Sequence, residues 1–122
     1  METNSFLSNK THCFEHAYYY SMDILILKGA LCNNVETTYF EIINDVVWHL
    51  DQKDKLDIYI GFSMLNAVSI KCLINLFKIL NKYYDLDKKI KIYWSYRKNE
   101  NMEDLGLSLS TFCQFHFEIV SI

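Results

Sequence analysis

Two cysteine–histidine pairs are the residues in this sequence whose types and spacing come nearest to metal chemistry. Cys13 precedes His16 by three residues, and Cys113 precedes His116 by the same interval. Two thiolates and two imidazoles are in principle the four ligands of a tetrahedral zinc site. The simpler interpretation is that the cysteines pack as small apolar side chains while the histidines lie on surface positions. We favour packing, and we predict that the chain binds no metal and needs no cofactor.

The segment Ser63–Lys71 is the second candidate, because polar residues there join an apolar strand to a helix. Asn66 is the best N-cap of that helix, and Ser69 follows in its first turn. Open α/β sheets usually place functional loops at the carboxyl ends of strands. Backbone N–H groups at a helix start also favour an anion such as a phosphoryl group. The corner is therefore either a regulatory docking site or an ordinary helix cap.

Signatures of catalysis are missing from the rest of the sequence. Three separated glycines cannot form a phosphate-binding loop, and no Gly-x-Ser-x-Gly motif occurs. Asp45, Asp51 and Asp57 lie on different predicted elements, so nothing pairs them for acid–base work. The second predicted helix carries Lys71, Lys78 and Lys82. We interpret these lysines as a solvated face toward its carboxyl end, where the helix dipole favours positive charge. We predict that the protein is not an enzyme.

Length and composition restrict the class of protein further. The 122 residues suit a single domain, and 51% hydrophobic with 22% charged residues is typical of a globular chain. A net charge of −3 argues against a nucleic-acid partner. No signal peptide and no apolar run near 20 residues is present, so we expect a cytoplasmic protein that does not insert into membranes. Residues 1–16 are expected to form a flexible N-terminal segment.

Alternating and helical patterns along the chain predict the elements that must position these candidates. Tight alternation in Lys89–Tyr96 and apolar runs elsewhere predict strands, and apolar residues three and four apart predict helices. The predicted strands are Ala17–Ser21, Asp23–Gly29, Leu56–Ser63, Lys89–Tyr96 and Phe115–Val120. Because strands alternate with helices, we predict a single α/β domain with a mixed sheet, parallel pairing through the crossover helices, and helices over one face of the sheet.

The three predicted helices carry specific start signals and buried faces. Thr38 with Glu41 fits a capping box, so the first helix is expected to start there and to run to Leu50 or Asp51. Its buried side is expected to comprise Phe40, Ile43, Val46, Val47 and Leu50. The second helix is capped by Asn66, with a buried stripe of Ile70, Leu73, Ile74, Phe77, Leu80 and Tyr84. Asn99–Asp104 opens a short third helix.

Three stretches resemble the SiaC family of bacterial regulatory phosphoproteins, STAS-like relatives of anti-sigma-factor antagonists. They are Leu65–Lys71, the strand Ile92–Tyr96 with the polar residues after it, and Leu105-Gly106 leading to Phe115–Ile119. Gly29 and the helix carrying Trp48 also fall where that family has a glycine and an aromatic helix. The likeness extends from Met22 to the C-terminus.

This resemblance implies a single STAS-like domain that works by partner switching. Members are phosphorylated by a dedicated kinase and dephosphorylated by a PPM-type phosphatase, and the unphosphorylated form binds a diguanylate cyclase. The implied partner-binding residues are Ser63, Leu65, Asn66, Ala67, Val68, Ser69 and Lys71.

Two departures from the family pattern affect the switch. The family reads Asn-Thr-Ser-Ser at the corner and phosphorylates the threonine, whereas Ala67 and Val68 here carry no hydroxyl. The family's Ser-Tyr-Pro-Glu-Asn after its early glycine is replaced by Ala30–Asn34. Either the switch is lost or phosphorylation has moved to Ser69.

Overall fold

The computed structural model describes residues 14–29, 35–98 and 101–122, which form one mixed sheet and a layer of helices. The strands are β1 (Glu15–Tyr19), β2 (Ile24–Gly29), β3 (Lys55–Phe62), β4 (Lys89–Tyr96) and β5 (His116–Ser121). The helices are α1 (Val35–Gln52), α2 (Ala67–Tyr84) and α3 (Met102–Ser110), and Tyr20–Met22 form a 3-10 turn. The predicted α/β class and every predicted element are confirmed.

The order of the strands in the sheet is the same as their order in the chain. The edge strand β1 pairs antiparallel with β2, and the remaining neighbours pair parallel. The register aligns Leu25, Ile58, Ile92 and Phe117 in one row across the last four strands. Each parallel pair is joined by one helix, as parallel strands require.

The core lies between one face of the sheet and the helix layer. Successive residues of a strand point to opposite faces, and the buried set alternates in this way. The helix-covered face carries Leu25, Leu27, Leu56, Ile58, Ile60, Ile90, Ile92 and Trp94, all of them buried. The opposite face carries Tyr59, Tyr93, Lys91 and His116, and no described helix covers it.

Helices α1 and α2 run side by side in the same direction. Near their amino ends the hydroxyl of Tyr39 lies 3.1 Å from Oγ of Ser69. Near their carboxyl ends the hydroxyl of Tyr83 donates to Oδ1 of Asp51 over 2.7 Å. Between these two links, Ile42 and Val46 of α1 and the apolar stripe of α2 are buried in the same core.

Helix α3 packs unusually close to β4 because it presents a glycine there. A Cβ on Gly106 would lie 2.5 Å from Cδ1 and from Nε1 of Trp94, closer than packed atoms tolerate. The indole Nε1 of Trp94 donates to the carbonyl of Met102 over 2.8 Å. This bond satisfies the polar edge of a fully buried ring.

A buried histidine supports the turn between β1 and β2. His49 of α1 has no exposed surface, and its Nε2 lies 2.8 Å from the carbonyl of Lys55. Because a carbonyl only accepts, Nε2 carries a proton, and Nδ1 forms a hydrogen bond with the hydroxyl of Tyr18. Asp23, which has a positive φ of 59° at this turn, accepts from Nζ of Lys53 at 2.6 Å.

The structure corrects several predicted helix positions. Helix α1 is already formed at Val35, so Thr38 is a buried residue within it and does not cap it. Phe40 was expected in the core but is 65% exposed, whereas Tyr39 and Ile42 take the buried positions. Tyr84, predicted to be buried, is also exposed.

In α2, the predicted core residues Leu73, Phe77 and Leu80 are confirmed.

Strand and segment boundaries differ by one or two residues from the predicted ones. β1 begins at Glu15, and the predicted end of that strand belongs to the 3-10 turn. Of the N-terminal segment 1–16, the structure describes Phe14, which is buried, and Glu15 and His16, which pair with β2. The rest of that segment, the replaced stretch Ala30–Asn34 and the predicted start of α3 at Asn99 lie outside the described residues.

Candidate partner-binding site

The Ser63–Lys71 corner begins where β3 ends beside the end of β2. Gly29 is the last residue of β2 and has a φ of +114°, a backbone conformation that residues other than glycine rarely adopt. Its carbonyl accepts from the backbone N–H of Ser63 over 2.9 Å and from the Ser63 hydroxyl over 3.3 Å. The two carboxyl strand ends are thereby fixed together, and the chain leaves β3 in a defined direction.

Asn66 caps the helix that follows, as the sequence predicted. Its backbone is extended, and its side-chain Oδ1 accepts from the N–H of Ser69 over 2.8 Å. A cap of this kind satisfies one of the otherwise unbonded donors of the first turn. Helix α2 therefore begins at Ala67, and Ala67 and Val68 lie in its first turn.

Ser69 does not lie on the surface of this corner, contrary to the prediction. Its side chain is 0% exposed, and its Oγ faces the hydroxyl of Tyr39 in the core. Burial raises the pKa of the Tyr39 phenol well above its usual range, so the pair stays neutral. In this conformation Ser69 offers a kinase no accessible hydroxyl. The sequence carries a signal for this burial, since Ser69 precedes Leu73, Leu76 and Leu80 at helical spacing.

The remaining corner residues form the surface. Ser63, Asn66, Ala67, Val68 and Lys71 are exposed, and Leu65 is half-buried. Met64, which the sequence analysis did not include in the site, is 55% exposed, and Val68 is 43% exposed. Met64 escaped notice because it belongs neither to the alternation of β3 nor to the stripe of α2. The corner therefore presents a small apolar surface with a single lysine at its edge.

A shallow cleft of about 750 Å³ adjoins the corner on the open face of the sheet. Gly61 forms part of its floor, and a Cβ there would lie 2.8 Å from Oγ of Ser95. Lys28 and Arg97 line the cleft, and Ser63 is also part of its lining. Glu15 also lines the cleft and forms an ion pair with Lys28, with Oε1 3.9 Å from Nζ. Corner and cleft together offer shape, apolar contact and a few charged groups.

The metal hypothesis fails on geometry. His16 lies in β1 and His116 in β5, at opposite edges of the sheet. Four strand spacings, roughly 19 Å, separate these edges, so the two pairs cannot share one ion. His116 instead lies 3.2 Å from Glu118, and the half-buried thiol of Cys113 lies near the carbonyl of Leu109. Cys13 is outside the described residues, and within them no group of three potential metal ligands occurs.

Membrane insertion through a helix is not supported either. Among the described residues, no helix combines the length and the apolar character that a bilayer span requires.

Comparison with solved structures places this fold among close structural relatives. A chain in the crystal structure of the diguanylate cyclase SiaD in complex with its activator SiaC from Pseudomonas aeruginosa superposes with a TM-score of 0.85 at 19% identity, covering 90% of this chain and 93% of that one. Apo-SiaC from the same organism gives 0.82 at 19% identity, covering 88% and 89%. A further structure of SiaC gives 0.79 at 17% identity, covering 90% and 99%.

Sequence comparison gives the family directly. No curated protein sequence matches the chain. Residues 18–122 match the SiaC family of regulatory phosphoproteins, which is most of the chain and includes the whole of the corner. The resemblance inferred from the corner and from the two later stretches is thereby confirmed. The chain belongs to the SiaC family of regulatory phosphoproteins.

Proposed function

We propose that this protein is a non-enzymatic regulator that binds a protein partner through the Ser63–Lys71 corner, and that the partner is a diguanylate cyclase or a kinase of the same pathway. Membership of a regulatory phosphoprotein family supports the general role. One of the structures of similar fold is that of SiaC in complex with the diguanylate cyclase SiaD. This complex supports a diguanylate cyclase as the class of partner. A cytoplasmic location accords with this role.

The observation that carries the proposal is the exposure of the corner without a hydroxyl at the family's acceptor position. Ala67 occupies the family's acceptor position, is exposed, and carries only a methyl group. Met64 and Val68 extend the apolar surface beside it. A phosphate would bring about two negative charges and would have to be desolvated on docking. We infer that this chain keeps permanently the docking surface that its relatives lose on phosphorylation.

A charge placed at the acceptor position tests the proposal. Ala67→Glu leaves folding intact, because an acidic residue in the first helical turn interacts favourably with the helix dipole. We expect it to weaken binding to diguanylate cyclases from the same genome at least roughly tenfold, as a charge desolvated in an interface does. Calorimetry with the purified proteins measures the affinity.

A control variant carries a charge change of the same sign, two units rather than one, on the other face of the molecule. Lys89→Glu lies on the open face of the sheet and should bind as the wild type does. Equal affinities of the wild type and Ala67→Glu would contradict the proposal, provided that both bind. As a complement, Ala67→Thr should become a substrate of the pathway kinase while the wild type does not.

A further inference from the structure

Helices α1 and α2 carry opposite charges although they lie side by side. α1 contains Glu36, Glu41, Asp45 and Asp51 and neither lysine nor arginine. α2 contains Lys71, Lys78 and Lys82 and no carboxylate. Among the described residues no ion pair joins the two helices, since their links are the two hydroxyl contacts at their ends. Within one molecule the two sets of charges thus lie near each other without close ion pairs between the described residues.

The outer surfaces of the two helices also differ in their uncharged residues. Phe40 is 65% exposed and Trp48 is 52% exposed, and they lie two turns apart on one side of α1. The ring of Tyr20 packs against that of Trp48 at an interplanar angle of 50°, with ring centroids 5.0 Å apart. The exposed side of α2 carries the three lysines together with Val68. Lysine ammonium groups pair favourably with both carboxylates and tryptophan faces.

We propose that the outer face of the α1–α2 pair binds a second copy of the same chain, and we call this face the helix-pair face. A two-fold axis parallel to the helices and midway between them places α1 of each copy over α2 of the other. The acidic, aromatic helix then meets the lysine helix twice, which is the self-complementarity that a two-fold interface demands.

The size of the helix-pair face sets the strength of the contact. Each helix has 18 residues and is therefore about 27 Å long, and neighbouring helices lie about 10 Å apart. The face thus offers on the order of 500 Å² per copy, at the low end for specific interfaces. Because charge dominates it, association should be weak and should fall as salt shortens the range of the attraction.

The helix-pair face overlaps the partner-binding corner at Val68 and Lys71, which belong to both. Self-association would therefore cover part of the corner and compete with a partner. This regulatory consequence rests on the proposed function, whereas self-association itself does not. Measurements on the chain alone thus separate the two proposals.

Charge exchange provides the test, with sedimentation equilibrium of the full chain at low and high salt as the measurement. Glu36→Lys/Glu41→Lys places two lysines near the amino end of α1 and brings its net charge from −4 to 0, whereas Lys71→Glu/Lys78→Glu takes the net charge of α2 from +3 to −1. Each double variant alone should dimerise on the order of tenfold more weakly than the wild type, because like charges then face each other. Mixing the two variants should restore association, because both contacts of the mixed dimer are again complementary.

Two further variants complete the design. Lys89→Glu/Lys91→Glu makes the same net change as the α2 variant but on the open face of the sheet, and should dimerise like the wild type. Trp48→Ala should weaken the dimer without altering the charges. A wild type that stays monomeric at millimolar concentration in low salt overturns the proposal, as does a mixture that fails to restore association. Binding of a different protein at this face, with the chain itself monomeric, also overturns it.

Discussion

The hydroxyl of Ser69 stabilises the contact between two helices rather than offering a modification site. It faces the hydroxyl of Tyr39, and both side chains are buried. Ser69→Ala leaves the Tyr39 hydroxyl buried without this partner, which should lower the free energy of unfolding by roughly 1–3 kcal/mol. Urea unfolding monitored by circular dichroism measures the loss.

A double-mutant cycle shows whether this loss comes from the pair. Tyr39→Phe should cost less than Ser69→Ala, because a helical serine can instead bond a carbonyl of the preceding turn. The double variant should lose less than the sum of the two single variants. Strict additivity would mean that the two hydroxyls do not interact. Ser69→Glu would not test docking, because a buried carboxylate would disrupt the corner itself.

A second prediction concerns Asp23 at the turn before β2. The hydrogen bond from Lys53 holds the pKa of the Asp23 carboxyl below its ordinary value of 3.8, and the positive charge of Lys53 acts in the same direction. A carboxyl whose pKa is lowered by folding contributes stability that is present above the unfolded pKa and is lost as the pH falls through the folded value. The contribution should therefore begin to fall near roughly pH 4 and disappear once the pH is below the folded pKa of Asp23.

The comparison of wild type with Asp23→Asn isolates this contribution. Asparagine tolerates the positive φ of this turn and removes only the charge. The difference in unfolding free energy between the two proteins should be largest near neutral pH and should vanish in acid. The half-buried Asp45 has a raised pKa through burial, so Asp45→Asn should show the opposite pH dependence. A pH-independent difference for Asp23→Asn would contradict this account.

Among the secondary-structure elements, α3 depends on the absence of a side chain at Gly106. The Cβ of Gly106→Ala would lie within 2.5 Å of the indole of Trp94, so the helix must move away. That movement weakens the bond from Trp94 to the Met102 carbonyl. We expect a loss of about 1–3 kcal/mol, as for other overpacked cores, despite the better helix propensity of alanine. Ser108→Ala, on the exposed side of α3, should be neutral or slightly stabilising in the same urea titration.

The sequence predicted strands better than helix faces, and the physical reason is visible in α1. In β4 the alternation of Ile90, Ile92 and Trp94 with polar residues allows one assignment of faces. Helix α1 instead carries apolar residues almost all round, so spacing alone could not decide between Phe40 and Tyr39. Packing against α2 decides, and it is a tertiary property. The helix cap and the preceding strand were enough to locate the corner. Ser69 was wrongly placed on the surface, because serine was treated as a polar residue although its spacing puts it in the buried stripe of α2.

At the scale of the whole molecule, the separation of the sheet edges leads to a prediction about zinc. His16 and His116 lie on the two edge strands, too far apart for a shared ion. Purified protein should therefore retain no stoichiometric zinc after dialysis, as measured by atomic emission. One equivalent that survives dialysis and is lost in Cys113→Ala would contradict this expectation.

The identical order of strands in sheet and chain bears on how the protein is made. A ribosome delivers the chain from its amino end, and here each new helix and strand adds to the edge that was formed just before it. No strand must be inserted between two that already pair, and no early strand waits for a distant partner. Each parallel pairing closes a loop of only one helical crossover, which keeps the entropic cost of closure as low as a parallel sheet allows. During synthesis the exposed edge of the sheet moves from β2 to β5. Each apolar strand therefore lacks its next neighbour only for the time that the ribosome needs to make one helix and one strand.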